Sequence, residues 1–393
     1  MKICFLSYSN SGGAGKATIK VINSLKKINI RCDHKYILDN NNFSFVHNLK
    51  EKINRNSSRL IKRKINSFKS LSLFKSSIWK ELNKSDYDII HLTWINELLS
   101  IEDIGKIKKP IVWTLCDMWP FTGVNHYDDY GKSAFWRKKN FNKFSKKNFN
   151  LDTWLVNRKI NSWKNLNIVA PSKWLYECAR DSIVMNKFNI NLIPWPVDKN
   201  CFKKFDKKKL RKKYKLPLNK KLVLYNAFNG IKDRRKGWDY LVKAIDEIKE
   251  EFEILIIGED KIKNFNLHNK KIFSLGKFNN DKKIAEILNC ADLIVIPSKV
   301  DNLPQVGIEA QSCGLPVVTF NCNGLKDLVI HKKDGFLAKP YDHVSLANGI
   351  DWTLKYSLKK NLSKNAIIKV NKIWNSKIIS KKYKNLYDRI LKN

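Results

Sequence analysis

What this chain lacks narrows it before any motif is read. Its eight cysteines are scattered and include no Cys-x-x-Cys pair. Neither a disulfide framework nor a zinc site is indicated, and the reading is of a reduced, cytoplasmic protein. No apolar run approaches the roughly 20 residues that a membrane-spanning helix needs. The opening run Ile3-Cys4-Phe5-Leu6 reaches polar residues at Ser7. That is a buried first strand, too short for the apolar core of a secretion signal. The loop from Ser9 to Gly15 fails as a dinucleotide fingerprint, because Thr18 stands where the third glycine belongs. It fails as a Walker A loop too, with Asn10 for the first glycine and Ala17 where Ser or Thr should follow Lys16. Acidic residues are scarce: 36 against 76 Lys and Arg, a formal charge of +40.

What is present points to an α/β protein. At 393 residues and 43% hydrophobic content, the chain is long enough for two domains with cores of their own. Short apolar runs alternate with helical stretches. In the first half these are Lys2 to Ser7, Asp88 to Leu92, Pro110 to Leu115 and Asn167 to Ser172. After two prolines in Ile193-Pro194-Trp195-Pro196 the pattern restarts at Lys221 to Ala227, Phe252 to Gly258, Lys271 to Gly276, Ala291 to Pro297 and Pro316 to Phe320. Repeated strand–loop–helix order predicts doubly wound parallel sheets, with a linker near the paired prolines. The positive charge has a bland explanation in a composition rich in Lys, Asn and Ile throughout. It is nevertheless clustered, in Arg55 to Lys69, Arg137 to Lys147 and Lys203 to Lys215. Between Asn48 and Phe74 the charges alternate with Leu60, Ile61, Ile65, Phe68 and Leu71. A basic amphipathic stretch of that kind suits an anionic membrane surface. Nucleic acid is the other natural partner of basic surface, but no nucleic-acid module motif is present and the charge is spread along the chain.

The most informative segment runs from Pro297 through Val318. Asp301 and Glu309 are separated by seven residues, one in the loop after a strand and one on the helix that follows. Gly314 and Pro316 then end that helix. The loop Asn302-Leu303-Pro304-Gln305 would turn backbone N–H groups and a helix N-terminus toward phosphate, while the carboxylates accept bonds from sugar hydroxyls. A second segment, Asp233-Arg234-Arg235-Lys236-Gly237-Trp238, places Arg235 and Lys236 where a strand gives way to a helix. In so basic a chain a charge run alone is ordinary solvated surface. Here its position suits a diphosphate whose charge grows as a glycosidic bond breaks. Gly12 and Gly13, after the first strand, let a backbone approach a ligand closely.

These residues resemble the carboxylate–seven–carboxylate signature of retaining glycosyltransferases of the GT-B fold, close to family 4. The resemblance implies two Rossmann-like domains facing a cleft: an acceptor-side domain over 1–195, a nucleotide-sugar domain over 196–373, and a final helix over 374–393 crossing back to the first. It implies that Asp301 contacts the donor sugar, Glu309 the ribose, and Lys236 and Arg235 the diphosphate, with Gly12, Gly13, Gly276, Lys277 and Asn302 to Gln305 lining the donor. Cys116-Asp117-Met118-Trp119-Pro120-Phe121-Thr122-Gly123 through His126 is similar to a segment of polysaccharide-building members. There a His stands in place of Cys116, beside the transferred sugar, while Asp117 and His126 match and would meet the acceptor. Two departures stand out. Asp301 replaces the usual Glu, and Gly230 occupies the position of a common Arg.

The expected activity is transfer of a sugar, with retention, from a nucleoside-diphosphate donor to a glycan or lipid-linked acceptor in cell-surface polysaccharide synthesis. The expected location is cytoplasmic, peripheral at the inner face of the plasma membrane. No cofactor and no metal are expected, since no Asp-x-Asp motif sits in a suitable loop. Two rivals are a catalytically impaired homologue that binds sugar nucleotides, motivated by Cys116 and Gly230, and a basic nucleic-acid-binding protein.

Overall fold

The computed structural model describes residues 1–36, 68–95, 97–142, 149–226, 231–258, 267 and 270–392. The chain forms two compact units, Met1–Trp195 with Ile379–Asn393, and Pro196–Ile378. Most of the basic stretch from Asn48 to Phe74, part of the run Arg137 to Lys147, and Gly230 lie outside the described residues.

In the first unit the strands are β1 (Lys2–Ser7), β2 (Arg31–Tyr36), β3 (Ile89–Leu92), β4 (Ile111–Thr114), β5 (Leu166–Ala170) and β6 (Asn189–Leu192). They lie in the order β2-β1-β3-β4-β5-β6, every pair parallel. β3 and β4 are buried along their whole length, as strands covered by helices on both faces must be. The order reverses between β1 and β3, and ligands of such sheets bind at the carboxyl ends beside a reversal. The helix Ser376–Lys392 belongs to this unit, burying Ile379, Tyr383, Leu386 and Tyr387. Its anchor is polar. His91 on β3 bonds the Tyr387 hydroxyl at 2.6 Å and Thr114 Oγ1 at 2.8 Å, and Thr114 meets the Tyr383 hydroxyl at 3.1 Å. Complete burial pushes the His91 imidazole down to about 3, so it is neutral at physiological pH.

The second unit carries β7 (Leu222–Asn226), β8 (Glu253–Ile257), β9 (Ile272–Ser274), β10 (Leu293–Ile296), β11 (Val317–Phe320) and β12 (Gly335–Ala338). Their order is β12-β11-β10-β7-β8-β9, again all parallel. This is the doubly wound order of dinucleotide-binding domains, with the reversal between β7 and β10. Leu222, Leu224, Leu255, Leu293 and Val317 are fully buried. Burial of each such side chain contributes about 1.5–3 kcal/mol. Helices enter on side-chain caps: Asn280 accepts from the Lys282 and Lys283 amides, and Asp342 from Ser345. Among the described residues no helix is long and apolar enough to cross a membrane.

β1 coincides with its expected range, β5 starts one residue before its own and ends two short, and the other expected strands are trimmed by one or two residues at one end or both. β2, β6 and β12 answer to no expected strand. Each lies at a sheet edge and reads as Arg-Cys-Asp-His-Lys-Tyr, Asn-Ile-Asn-Leu or Gly-Phe-Leu-Ala. An edge strand exposes one side, so it needs no continuous apolar run.

Candidate functional site

At the reversal of the second sheet, the loops after β7 and β10 are fastened together. Gly237 holds a left-handed conformation (φ 71°), and a Cβ there would lie 1.8 Å from the Pro297 carbonyl oxygen. The Lys299 amide donates to the Arg235 carbonyl at 2.8 Å. Instead of opening the helix directly, Arg234–Lys236 forms a single 3-10 turn, capped by Asp233 Oδ1 on the Arg235 amide. The helix proper starts at Trp238. This turn delivers Lys236 Nζ to within 2.6 Å of Asp301 Oδ2. Arg235 Nη1 lies 3.5 Å from the same oxygen and donates to the Val300 carbonyl at 3.1 Å, while Nη2 reaches Asp233 at 3.1 Å. Burial, reinforced by Arg235, pushes the Lys236 ammonium below its usual range, and Asp301 opposes that shift. For Asp301 burial acts upward, but Lys236 and then Arg235 outweigh it and hold the carboxyl below the usual carboxylate range. The two side chains meet as a salt bridge.

The position of Asp301 is fixed from its other side. Its Oδ1 accepts the Asn302 amide at 3.0 Å, and its own amide donates to Asn323 Oδ1 at 3.2 Å. Asn323 also donates to the Lys299 carbonyl at 2.9 Å, and the Gly324 amide donates to the Asp301 carbonyl at 3.1 Å. A Cβ at Gly324 would fall 1.2 Å from the Asn302 carbonyl oxygen. Asn323 and Gly324 were not among the expected site residues. Their signal was an Asn-Gly pair three residues after the end of β11, the composition of a tight turn.

Glu309 and Gln305 lie on the helix Gln305–Ser312, which begins after Pro304 with no side-chain cap at its N-terminus. Among the amides of this turn, that of Gly307 donates to the Pro304 carbonyl at 3.0 Å, and the Asn302 amide ahead of the helix is taken by Asp301. Glu309 is 6% exposed, Leu303 is buried, and Gln305 Nε2 is buried with no hydrogen-bond partner. After β8 and β9, Gly258 and Gly276 take positive φ (96° and 84°), and the Gly258 amide donates to the Gly276 carbonyl at 3.1 Å. Lys277 follows at the surface. The second unit thus brings Arg235, Lys236, Asp301, Asn302, Gln305 and Glu309 to the loops and helix at its switch point, while Gly276 and Lys277 follow β9 at the edge of the sheet.

Gly12, Gly13, Cys116, Asp117 and His126 lie in the first unit. Gly12 (φ 69°) opens the helix Gly12–Lys26, whose N-terminus also lacks a side-chain cap. A Cβ at Gly12 or Gly13 would meet no heavy atom within 4 Å, whereas one at Gly15 would come within 2.6 Å of the Ser9 carbonyl oxygen. Close strand–helix packing therefore demands glycine at 15, and open space lies over 12 and 13. Asp117 and His126 pair with each other. His126 Nδ1 meets Asp117 Oδ2 at 2.6 Å and its Nε2 meets Ser70 Oγ at 2.7 Å. The Trp94 indole donates to the same Asp117 oxygen at 2.9 Å, and Trp119 stacks on the imidazole. Asp117 is 6% exposed and His126 1%, so this network locks a turn from within. Lys159, wholly buried, donates to the Trp119, Thr122 and Gly123 carbonyls and holds the same turn. Cys116 is half-buried, and desolvation pushes its thiol well up, so it presents a neutral S–H. Among the described residues, no three His, Cys, Asp or Glu gather so that they could hold a metal ion.

Residues 206–369 match the family model described as Glycosyl transferases group 1. The chain is 24% identical over 236 residues to N-acetyl-alpha-D-glucosaminyl L-malate synthase of Bacillus anthracis, covering 58% of this chain and 60% of that protein. It is 33% identical over 111 residues to N,N'-diacetylbacillosaminyl-diphospho-undecaprenol alpha-1,3-N-acetylgalactosaminyltransferase of Campylobacter jejuni, covering 28% and 29%. The alignments thus span less than two thirds of the length of these curated relatives. Among solved structures, Anabaena HepE in complex with UDP-glucose superposes with a TM-score of 0.65 at 19% identity, over 99% of this chain and 100% of that one. That likeness shows the GT-B fold.

Proposed function

Because residues 206–369 belong to the glycosyl transferases group 1, we propose that the protein is a retaining glycosyltransferase. Its donor would be a nucleoside-diphosphate sugar, and its acceptor a glycan or lipid-linked glycan in cell-surface polysaccharide synthesis. The observation that carries the reading is the meeting of Lys236, Arg235 and Asp301 at the switch point of a dinucleotide-type sheet, beside an uncapped helix that bears Glu309. Lys236, Arg235 and the first-turn amides of Gln305–Ser312 take up the negative charge that develops on the diphosphate. Asp301 accepts from sugar hydroxyls and Glu309 from the ribose. In the step itself the bond from the anomeric carbon to the phosphate oxygen breaks, and a bond to the acceptor oxygen forms on the same face. The acceptor proton passes to the leaving phosphate. No metal takes part in this scheme. The names of the relatives support the setting: one uses an undecaprenol-linked acceptor and one structure holds UDP-glucose. Docking of the enzyme on an anionic membrane surface belongs to the same reading, resting on the +40 charge.

The test is thermal unfolding against UDP-, GDP-, ADP- and CDP-sugars, with Glu309→Ala as the control. Stabilisation of the wild type by one donor, lost in the variant, supports the reading; no stabilisation by any donor rejects it. The neutral thiol of Cys116 favours a second reading, donor binding without turnover. That reading holds if a bound donor is not consumed by any acceptor and Cys116→His brings activity.

A further inference from the structure

The two cations offered to a diphosphate already have partners. Lys236 and Arg235 share one oxygen of Asp301, at 2.6 and 3.5 Å, and Arg235 also pairs with Asp233 at 3.1 Å. Two cations meet two carboxylates, so these four side chains carry no formal net charge, and a phosphate must compete with Asp301 for Lys236. Nor can the anion of Asp301 step aside. Its Oδ1 is held by the Asn302 amide, and its backbone is clamped by Asn323 and Gly324. The flexible member is the Lys236 stem. A diphosphate approaching Lys236 must draw it off Asp301 and leave that carboxylate, its side chain 12% exposed, with the longer 3.5 Å contact to Arg235 in place of the 2.6 Å one. Such a loss is costly for a partly desolvated charge. A diphosphate that carries a sugar makes good the loss, because its hydroxyls donate to the stranded carboxylate. A spent nucleoside diphosphate has nothing to donate there.

We infer that Asp301 acts as a built-in anion that occupies the diphosphate's place on Lys236 and makes the site favour the loaded donor over its spent nucleoside diphosphate. Product release is thereby assisted by the return of Lys236 to Asp301. The inference rests on the donor reading above and deepens it by assigning the discrimination between substrate and product to one ion pair.

Calorimetric titration of the full chain with UDP, GDP and ADP, and with their glucose conjugates, tests it. The wild type should bind one glucose conjugate more tightly than the matching free diphosphate. Asp301→Asn should reverse that preference, binding the free diphosphate about tenfold more tightly and the conjugate about tenfold more weakly. In a Lys236→Met background the same substitution should change diphosphate affinity less than about threefold, since the gain depends on freeing the ammonium. An Asp301→Asn protein that binds the diphosphate no more tightly, or a gain that survives in Lys236→Met, overturns the inference while leaving the donor reading intact. Failure of every nucleotide and conjugate to bind a wild type that unfolds cooperatively removes the donor reading, and the inference with it.

Discussion

Each unit contains a short acid–base pair in a loop after its central strands, and the two are built for opposite ends. In the second unit the side chains of Lys236 and Asp301 are 22% and 12% exposed, paired in a salt bridge, and joined by one bond that a ligand can exchange. In the first, the side chains of His126 and Asp117 are 1% and 9% exposed, and both imidazole nitrogens are used by Asp117 and Ser70. Equal pairing distances of 2.6 Å conceal this difference. What separates a site from a lock is whether a partner can be replaced without stranding a buried polar group.

The comparison breaks most easily at Lys236. Lys236→Ala should reduce donor-dependent turnover at least about 100-fold, the loss typical of removing one charge-stabilising group. Asp301 keeps Arg235 at 3.5 Å and the Asn302 amide in that variant, so urea unfolding should fall by about 1–2 kcal/mol, the cost of the lost 2.6 Å partner. His126→Ala should show the reverse. It strands Asp117 and Ser70 in the interior and should cost about 2–3 kcal/mol of stability in urea unfolding. Donor affinity measured below the unfolding transition should stay within about twofold of wild type, and a large loss would place His126 in the site instead.

A pH series sharpens the same contrast. Burial holds His91 at about 3 in the folded state, against its ordinary value of 6.5 when unfolded. Between those values the unfolded chain binds the extra proton, so stability falls as pH drops below 6.5, by about 1.4 kcal/mol per unit for this one group. At pH 5 that amounts to roughly 2 kcal/mol, lost from the first unit. A His91→Asn variant should show a correspondingly flatter decline between pH 6.5 and 4; an identical slope would remove His91 from this role. The smallest expected effect is none: EDTA should leave donor affinity unchanged, and a drop on chelation would replace the metal-free scheme.

Much of this was legible because central parallel strands are buried on both faces and read as unbroken apolar runs, as in Ile111 to Thr114 and Leu293 to Ile296. Lys236, Arg235, Asp301 and Glu309 announced themselves by standing at strand–helix junctions. Their pairing did not, because Lys236 and Asp301 are 65 positions apart and come together only through the parallel register of β7 and β10. The same holds for Ser70, 56 positions from His126. Trp94 and Lys159 bear on the Asp117 turn through equally remote contacts that periodicity does not encode. Cys116 and Asp301 could be read as departures from a pattern, yet what Asp301 does with its shorter stem is a matter of distance and required coordinates.

The last helix gives the chain an order of completion. Because Ile379–Asn393 packs into the unit that begins at Met1, the second unit is an insertion between the start and the finish of the first. During synthesis the first sheet must wait, with His91 and Thr114 lacking their tyrosine hydroxyl partners, until the entire second unit has left the ribosome. Without the segment that bears Tyr383 and Tyr387, Lys236, Asp301 and Glu309 would all be present and His91 and Thr114 would still lack those hydroxyls. Tyr383 and Tyr387 thus tie closure of the first unit to a segment that follows the second in the chain.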